Sequence, residues 1–138
     1  MIAYVDSSVI LRLVLGQPEA LAEWRTVEDG ITSALTEVEC LRTLDRLRML
    51  EGIPDEALAE RRESIYELLS RLAVVDIGRA VLARAAQPLP TSLGTLDAIH
   101  LATAQLWSET TSTALTMATH DGALATAARA LGMPTVGV

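Results

Sequence analysis

The chain has 138 residues and a formal net charge of −7, from 18 acidic against 11 basic side chains, which excludes a broad basic surface that adheres to nucleic acid regardless of sequence. Its length suits one hydrophobic core, so residues 1–138 are read as a single domain without a linker. Half the residues are hydrophobic but only 3% are aromatic and Phe is absent, so that core is built from Leu, Val, Ile and Ala, a composition suited to helices laid on a small buried sheet.

Met1 to Val5 is an apolar run closed by Asp6, Ser7 and Ser8, after which Val9, Ile10, Leu13 and Val14 recur at helical spacing: a strand passing into a helix. Beyond Gly16, Gln17 and Pro18 a helix is predicted from about Glu19 to Glu28. Asp29 and Gly30 read as a turn before a short strand at Ile31 and Thr32, with Ser33 capping a long helix that runs to Glu51 and stops at Gly52, Ile53 and Pro54. Asp55 is read as the cap of the next helix, whose Leu58, Ile65, Leu68, Leu69 and Leu72 form one stripe.

A third strand is predicted over Ala73 to Ile77 and a short helix over Arg79 to Ala86, followed by a loop from Gln87 to Gly94 that holds Pro88 and Pro90. Thr95 is read as the cap of a helix reaching Ser108. Thr113 to Thr119 form a fourth strand, Asp121 opens a helix that ends at Leu131 and Gly132, and Thr135 to Val138 supply a last strand. Strands alternating with helices imply an α/β fold with a mostly parallel, doubly wound sheet, whose ligands bind beyond the carboxyl ends of the strands. Asp6 and Asp121 both follow a strand and fall at that end.

Four carboxylates carry the functional reading, and each also has an ordinary structural role. Asp6 suits the cap between strand and helix, and Asp121 the cap of its helix. Asp97, in the first turn of its helix, favours the helix dipole. Glu39, in mid-helix, pairs naturally with Arg42 three residues on. At about 100° per residue Glu39 shares a face with Arg42, Arg46 and Leu35, whereas Glu37 falls beside Arg48; Glu39 is therefore chosen and Glu37 is the alternative. Four independent caps and pairs have no reason to converge on one end of one sheet. Like charges gathered there repel and are costly to desolvate, which implies a divalent cation.

The neighbours of these acids divide in the same way. Ser7 and Ser8 offer hydroxyls as caps or supporting groups, and Thr119 points to the same side of its strand as Asp121. His100 stands one turn after Asp97, either as a packing residue or as the partner that orients Asp97. His120 points away and is left outside the site. Arg42 and Arg46 serve either as a solvated ion-pair surface or as holders of flanking phosphates, a task for which the guanidinium is well shaped.

Tyr4-Val5-Asp6-Ser7-Ser8-Val9-Ile10-Leu11, Thr36-Glu37-Val38-Glu39-Cys40-Leu41-Arg42, Leu96-Asp97-Ala98-Ile99-His100-Leu101-Ala102 and Thr119-His120-Asp121 together closely resemble the PIN-domain ribonucleases, most of all the VapC toxins of type II toxin-antitoxin pairs. The resemblance spans nearly the whole chain. It implies a three-layer α/β/α fold in which Asp6, Glu39, Asp97 and Asp121 surround Mg²⁺ or Mn²⁺, supported by Ser7 and Thr119. It also implies RNA cleavage to 5′-phosphate and 3′-hydroxyl ends, a homodimer, and inhibition by a cognate VapB-like antitoxin. The chain departs from the family pattern at Gly94, where relatives often carry a basic residue, at His120, where tyrosine is frequent, and in lacking a second Asp near Asp121.

Competing classes fit less well. Phosphoryl transfer through an aspartyl intermediate calls for a lysine near the phosphate, and the chain has none. A catalytically silent PIN-like module that binds RNA or protein remains the alternative, separable by chelator-sensitive cleavage. Cys40 is the single cysteine, so no internal disulfide is expected; without a signal-like segment or an apolar run of membrane length, the expected location is the cytoplasm.

Overall fold

The computed structural model describes residues 1–138. Strands β1 (Ile2–Val5), β2 (Asp29–Ser33), β3 (Ala73–Val75), β4 (Thr116–Ala118) and β5 (Thr135–Val136) form one parallel sheet in the order β3-β2-β1-β4-β5. Six helices, α1 (Ser7–Val14), α2 (Leu35–Glu51), α3 (Asp55–Ser70), α4 (Arg79–Ala85), α5 (Thr95–Thr111) and α6 (Gly122–Ala130), complete a three-layer α/β/α arrangement. The strand order reverses between β1 and β4, which opens a crevice at their carboxyl ends.

Side-chain alternation along β1 explains the two layers. Ala3 and Val5 face a core made with Val9 and Ile10 of α1, Cys40 and Leu44 of α2, and Ile65 and Leu69 of α3. Tyr4 faces the opposite core, with Leu101 and Ala104 of α5 and Leu124, Ala127 and Ala128 of α6. Because both faces are covered, the central strand is apolar throughout, as buried parallel strands are. Each fully buried Leu or Ile contributes about 1.5–3 kcal/mol relative to exposure, and this aliphatic packing replaces the missing aromatics.

Several boundaries differ from the sequence expectation. The helix expected over Glu19 to Glu28 is only a 3₁₀ turn at Ala22–Thr26. The expected turn at Asp29 and Gly30 is already strand: these residues pair with Ile2 and Ala3, and the Glu28 N–H bonds the Met1 carbonyl at 2.9 Å. The preceding segment must therefore be extended to reach the sheet. A Cβ at Gly30 would meet the terminal methyl of Leu72, so that side chain would have to shift to admit one.

Asp55 does not cap α3; it is the first helical residue, after Pro54, and the helix start has no side-chain cap. Thr95 likewise lies inside α5, since the Gly94 carbonyl already accepts the Ala98 N–H at 2.9 Å. That helix runs on to Thr111, past the expected end at Ser108. The last three strands are shorter than expected: β3 and β5 end two residues early and β4 starts three residues late. Ser33 does not cap α2 either: it ends β2, the cap position falls to Ala34 without a side-chain cap bond, and the Ser33 hydroxyl accepts only the Leu35 N–H at 3.1 Å; the expected stop holds, with Gly52 ending α2 at φ +64°.

After β5 the chain passes Gly137 at φ +100°, where a Cβ would strike the Thr119 carbonyl. Replacing Gly137 with Ala is expected to destabilise the fold by about 1–3 kcal/mol, read as a lower denaturation midpoint. An unchanged midpoint would show that the contact is not restrictive.

Candidate active site

Asp6 follows β1 and is 3% exposed. Its carboxylate makes no cap bond to α1, although its backbone stands at the cap position. The side chain instead accepts hydroxyl protons: Oδ2 receives Ser8 Oγ at 2.7 Å and Thr119 Oγ1 at 2.9 Å. Each hydroxyl in turn accepts a backbone N–H, Ser8 from His120 at 2.9 Å and Thr119 from Asp121 at 2.9 Å. This relay locks the β4–α6 connection to the start of α1 and leaves Oδ1 directed elsewhere. Ser7 makes only a long contact to Oδ1, at 3.4 Å.

Asp121 does cap α6. Its Oδ1 accepts the N–H groups of Ala123 at 2.8 Å and Leu124 at 2.9 Å, so one oxygen is committed and Oδ2 is not. Glu39 projects from the middle of α2 and meets the fully buried His100 of α5 through Nε2, while Glu37 is exposed. The other nitrogen of His100, Nδ1, lies 2.6 Å from Tyr4 Oη. His100 thus contacts Glu39, not the Asp97 that its one-turn spacing had pointed to. One oxygen each from Asp6 and Glu39, and a His100 nitrogen, all lie within 4.8 Å of one another.

Asp97 completes the group electrostatically. Burial, then the charges of Asp121 and Asp6, push its carboxyl from the ordinary value of 3.8 up to about 6, with Glu39 adding to the shift and His100 opposing it. The four acids therefore feel one another across a single crevice. The same charges act below it: burial first, then Asp6 and Glu39, raise the Tyr4 hydroxyl well above its usual value. Burial, then Glu39 and Asp6, push the Cys40 thiol to about 12, leaving it a buried apolar group. For His100, burial works against the charged form, but the bond to Glu39 and the charges of Asp6, Glu39 and Asp97 outweigh it and raise the pKa.

Arg42 and Arg46 line a cavity of about 360 Å³ together with Ser7, Glu39 and Leu96, so of the four acids both share it with Glu39 alone. Arg42 also pairs with Asp45 at 3.1 Å and Arg46 bonds Thr43 at 3.3 Å. These exposed partners restrain the arginines weakly. His120 lies outside the acid cluster, as its strand geometry implied, yet its backbone N–H belongs to the relay through Ser8 and its Nδ1 lies 2.7 Å from the Gly137 carbonyl. Tyr4 had no place in the sequence reading; the signal for it was the strand alternation that turns residue 4 toward α5.

The chain matches the family model described as PIN domain over residues 3–130. It is 36% identical over 138 residues to Ribonuclease VapC35 of Mycobacterium tuberculosis, covering 96% of this chain and 94% of that protein. Ribonuclease VapC46 of the same organism is 35% identical over 136 residues, with 96% and 95% covered. A solved toxin-antitoxin complex from Klebsiella pneumoniae aligns with a TM-score of 0.64 at 21% identity over 86% of each chain, a likeness of fold.

Two measurements test the electrostatics. The raised Asp97 pKa means the folded state binds that proton more tightly than the unfolded state, so the stabilisation it gives is full below about pH 4 and lost as pH rises through about 6. Asp97→Asn is expected to stabilise the metal-free protein at about pH 7.5 by on the order of 1 kcal/mol, discounted for the half-exposed position, and to have little effect at pH 4. Equal effects at both values would refute the shift. For Asp121, the Asn variant keeps a capping oxygen and is expected to melt near the wild type, whereas Asp121→Ala loses about 1 kcal/mol. A similar loss in both would mean that charge, not the cap, holds α6.

Proposed function

The chain belongs to the PIN-domain family, and from that premise we propose that it is a metal-dependent endoribonuclease of the VapC kind, the toxin of a VapBC-like pair. The observation that carries this reading is the convergence of the acids beyond β1 and β4: oxygens of Asp6 and Glu39 and a His100 nitrogen lie within 4.8 Å of one another, and Asp97 is near enough to the charges of Asp121 and Asp6 that these, after burial, push its carboxyl up. Such mutual repulsion has a function if a cation relieves it.

The donor set suits Mg²⁺ or Mn²⁺. Asp6, Glu39, Asp97 and Asp121 offer hard carboxylate oxygens, the preferred ligands of these ions. When bound, such an ion supplies Lewis acidity at a phosphoryl oxygen and lowers the pKa of a water. The chain's own groups then have defined tasks. Ser8 and Thr119 hold Asp6 through Oδ2, Ser7 stands at the rim, and Asp121 keeps its Oδ2 available while capping α6. Arg42 and Arg46 are positioned to take the phosphates that flank the cleaved bond; exchanging the exposed Asp45 contact for a phosphate costs little.

The substrate in this reading is RNA, cut by in-line attack of water to 5′-phosphate and 3′-hydroxyl ends. The partner is a VapB-like antitoxin, as the fold likeness to a toxin-antitoxin complex supports. A homodimer in the cytoplasm completes the proposal; no helix is long and apolar enough to cross a membrane.

Asp6→Asn is expected to reduce RNA cleavage to background while leaving the melting midpoint within a few degrees, and EDTA is expected to do the same to the wild type until Mg²⁺ or Mn²⁺ is restored. Product ends mapped on a defined RNA should carry 5′-phosphates. Undiminished turnover in the Asn variant, or cleavage that persists in chelator, would reject metal-dependent hydrolysis at these acids.

A further inference from the structure

Three of the four acids are tied through one oxygen to donors of the fold, and the tie on Glu39 differs in kind. Asp6 is held by hydroxyls and Asp121 by backbone N–H groups, whereas the only hydrogen-bond partner of Glu39 is His100 Nε2. Glu39 also has the most freedom to lose: it reaches the crevice from mid-helix on a long side chain that is 20% exposed. His100 is fully buried, and its ring stands edge-on to Tyr4 with centroids 5.9 Å apart.

His100 has two possible roles in such a place. Its Nε2 could be a further ligand, since it sits within 4.8 Å of the Asp6 and Glu39 oxygens and 3.6 Å from Asp6 Oδ1. Alternatively it donates a proton that fixes Glu39. Counting donors and acceptors separates these roles. A carboxylate only accepts, so its contact with Nε2 requires the proton to be on Nε2. In the neutral ring Nδ1 then accepts the Tyr4 O–H; in the charged ring Nδ1 donates to Tyr4 Oη. In both forms Nε2 carries a proton and has no lone pair to offer a cation.

We propose that His100, held in orientation by Tyr4, is a positioning residue that keeps Glu39 in its metal-ligating rotamer through an Nε2–H···Oε1 bond and is not itself a ligand. The relay joins β1, α5 and α2, so it sets the distance between the Asp6 and Glu39 carboxylates. It leaves Glu39 Oε2 for the cation, as the cap leaves Oδ2 of Asp121. This inference rests on the metal-nuclease reading of the acids.

The test uses the full chain, MgCl₂ without RNA, and two readouts. In ¹⁵N NMR of the imidazole rings, assigned with His120→Gln, Nε2 of His100 is expected to be protonated both without Mg²⁺ and at saturation. By calorimetry, His100→Leu is expected to weaken Mg²⁺ binding about 10- to 100-fold. His100→Gln, whose amide N–H can replace the donor, should recover part of that loss, and Glu39→Gln should make the leucine change nearly silent. Disappearance of the Nε2 proton on Mg²⁺ saturation, or wild-type affinity in a folded His100→Leu, overturns the proposal. If the leucine variant does not fold, the NMR result and a several-fold weakening in Tyr4→Phe decide in its place. A wild type that neither binds Mg²⁺ nor cleaves RNA would instead sink the nuclease reading itself.

Discussion

Repulsion among carboxylates in a half-buried crevice is the constraint to which the rest of this structure responds. Charge of one sign, partly removed from water, pushes the side chains apart or drives protons onto them. At Asp97, burial first and then the charges of Asp121 and Asp6 push the carboxyl up to about 6. The fold resists by spending donors on the group: two hydroxyls on Asp6, two backbone N–H groups on Asp121 and an imidazole on Glu39. Asp97 has no such tie.

The sheet makes that concentration of donors possible. Reversal of strand order between β1 and β4 leaves the backbone beyond Val5 and Ala118 side by side, and the Asp6 N–H continues the pairing to the Ala118 carbonyl at 3.0 Å. Asp6 and Thr119 then stand on adjacent strand ends, where a rigid scaffold fixes their separation. Helices α2 and α5 approach from opposite faces of the same sheet and deliver Glu39 and Asp97 to the crevice. Parallel strands with both faces buried are thus what allow two helical layers to share one site.

Much of this was legible in the residues. The alternation of apolar runs with helical stripes indicated the parallel α/β fold, and the position of Asp6 and Asp121 after strands indicated the crevice. What failed was local and has physical causes. Glu19 to Glu28 has helical composition, but its end is bound to Met1 and the segment must stretch to enter the sheet. His100 is the buried, hydrogen-bonded residue that one of its two readings described, but its partner could not be read, because helical spacing relates it to Asp97 while the bond it makes crosses to another helix. Ser8 rather than Ser7 makes the short bond to Asp6 because the first turn of α1 rotates residue 8 toward Thr119. Strand alternation turns Tyr4 toward α5, but contacts between elements distant in sequence leave no periodic trace, so its bond to His100 and the relay through Ser8 could not be read in advance.

The competition between ordinary and functional roles, which each acid posed singly, dissolves once the two oxygens are considered apart. Asp121 is a helix cap through Oδ1, and this is what aims Oδ2. Asp6 occupies a cap position in its backbone, yet its carboxylate is turned into the crevice because Ser8 and Thr119 offer better donors than the helix does. A carboxylate with one oxygen immobilised by the fold needs little further ordering to present the other, so its structural bond lowers the entropy cost of binding. The structural role is therefore not a rival explanation of these residues; it is what would turn a flexible acidic side chain into a fixed ligand in the proposed metal site.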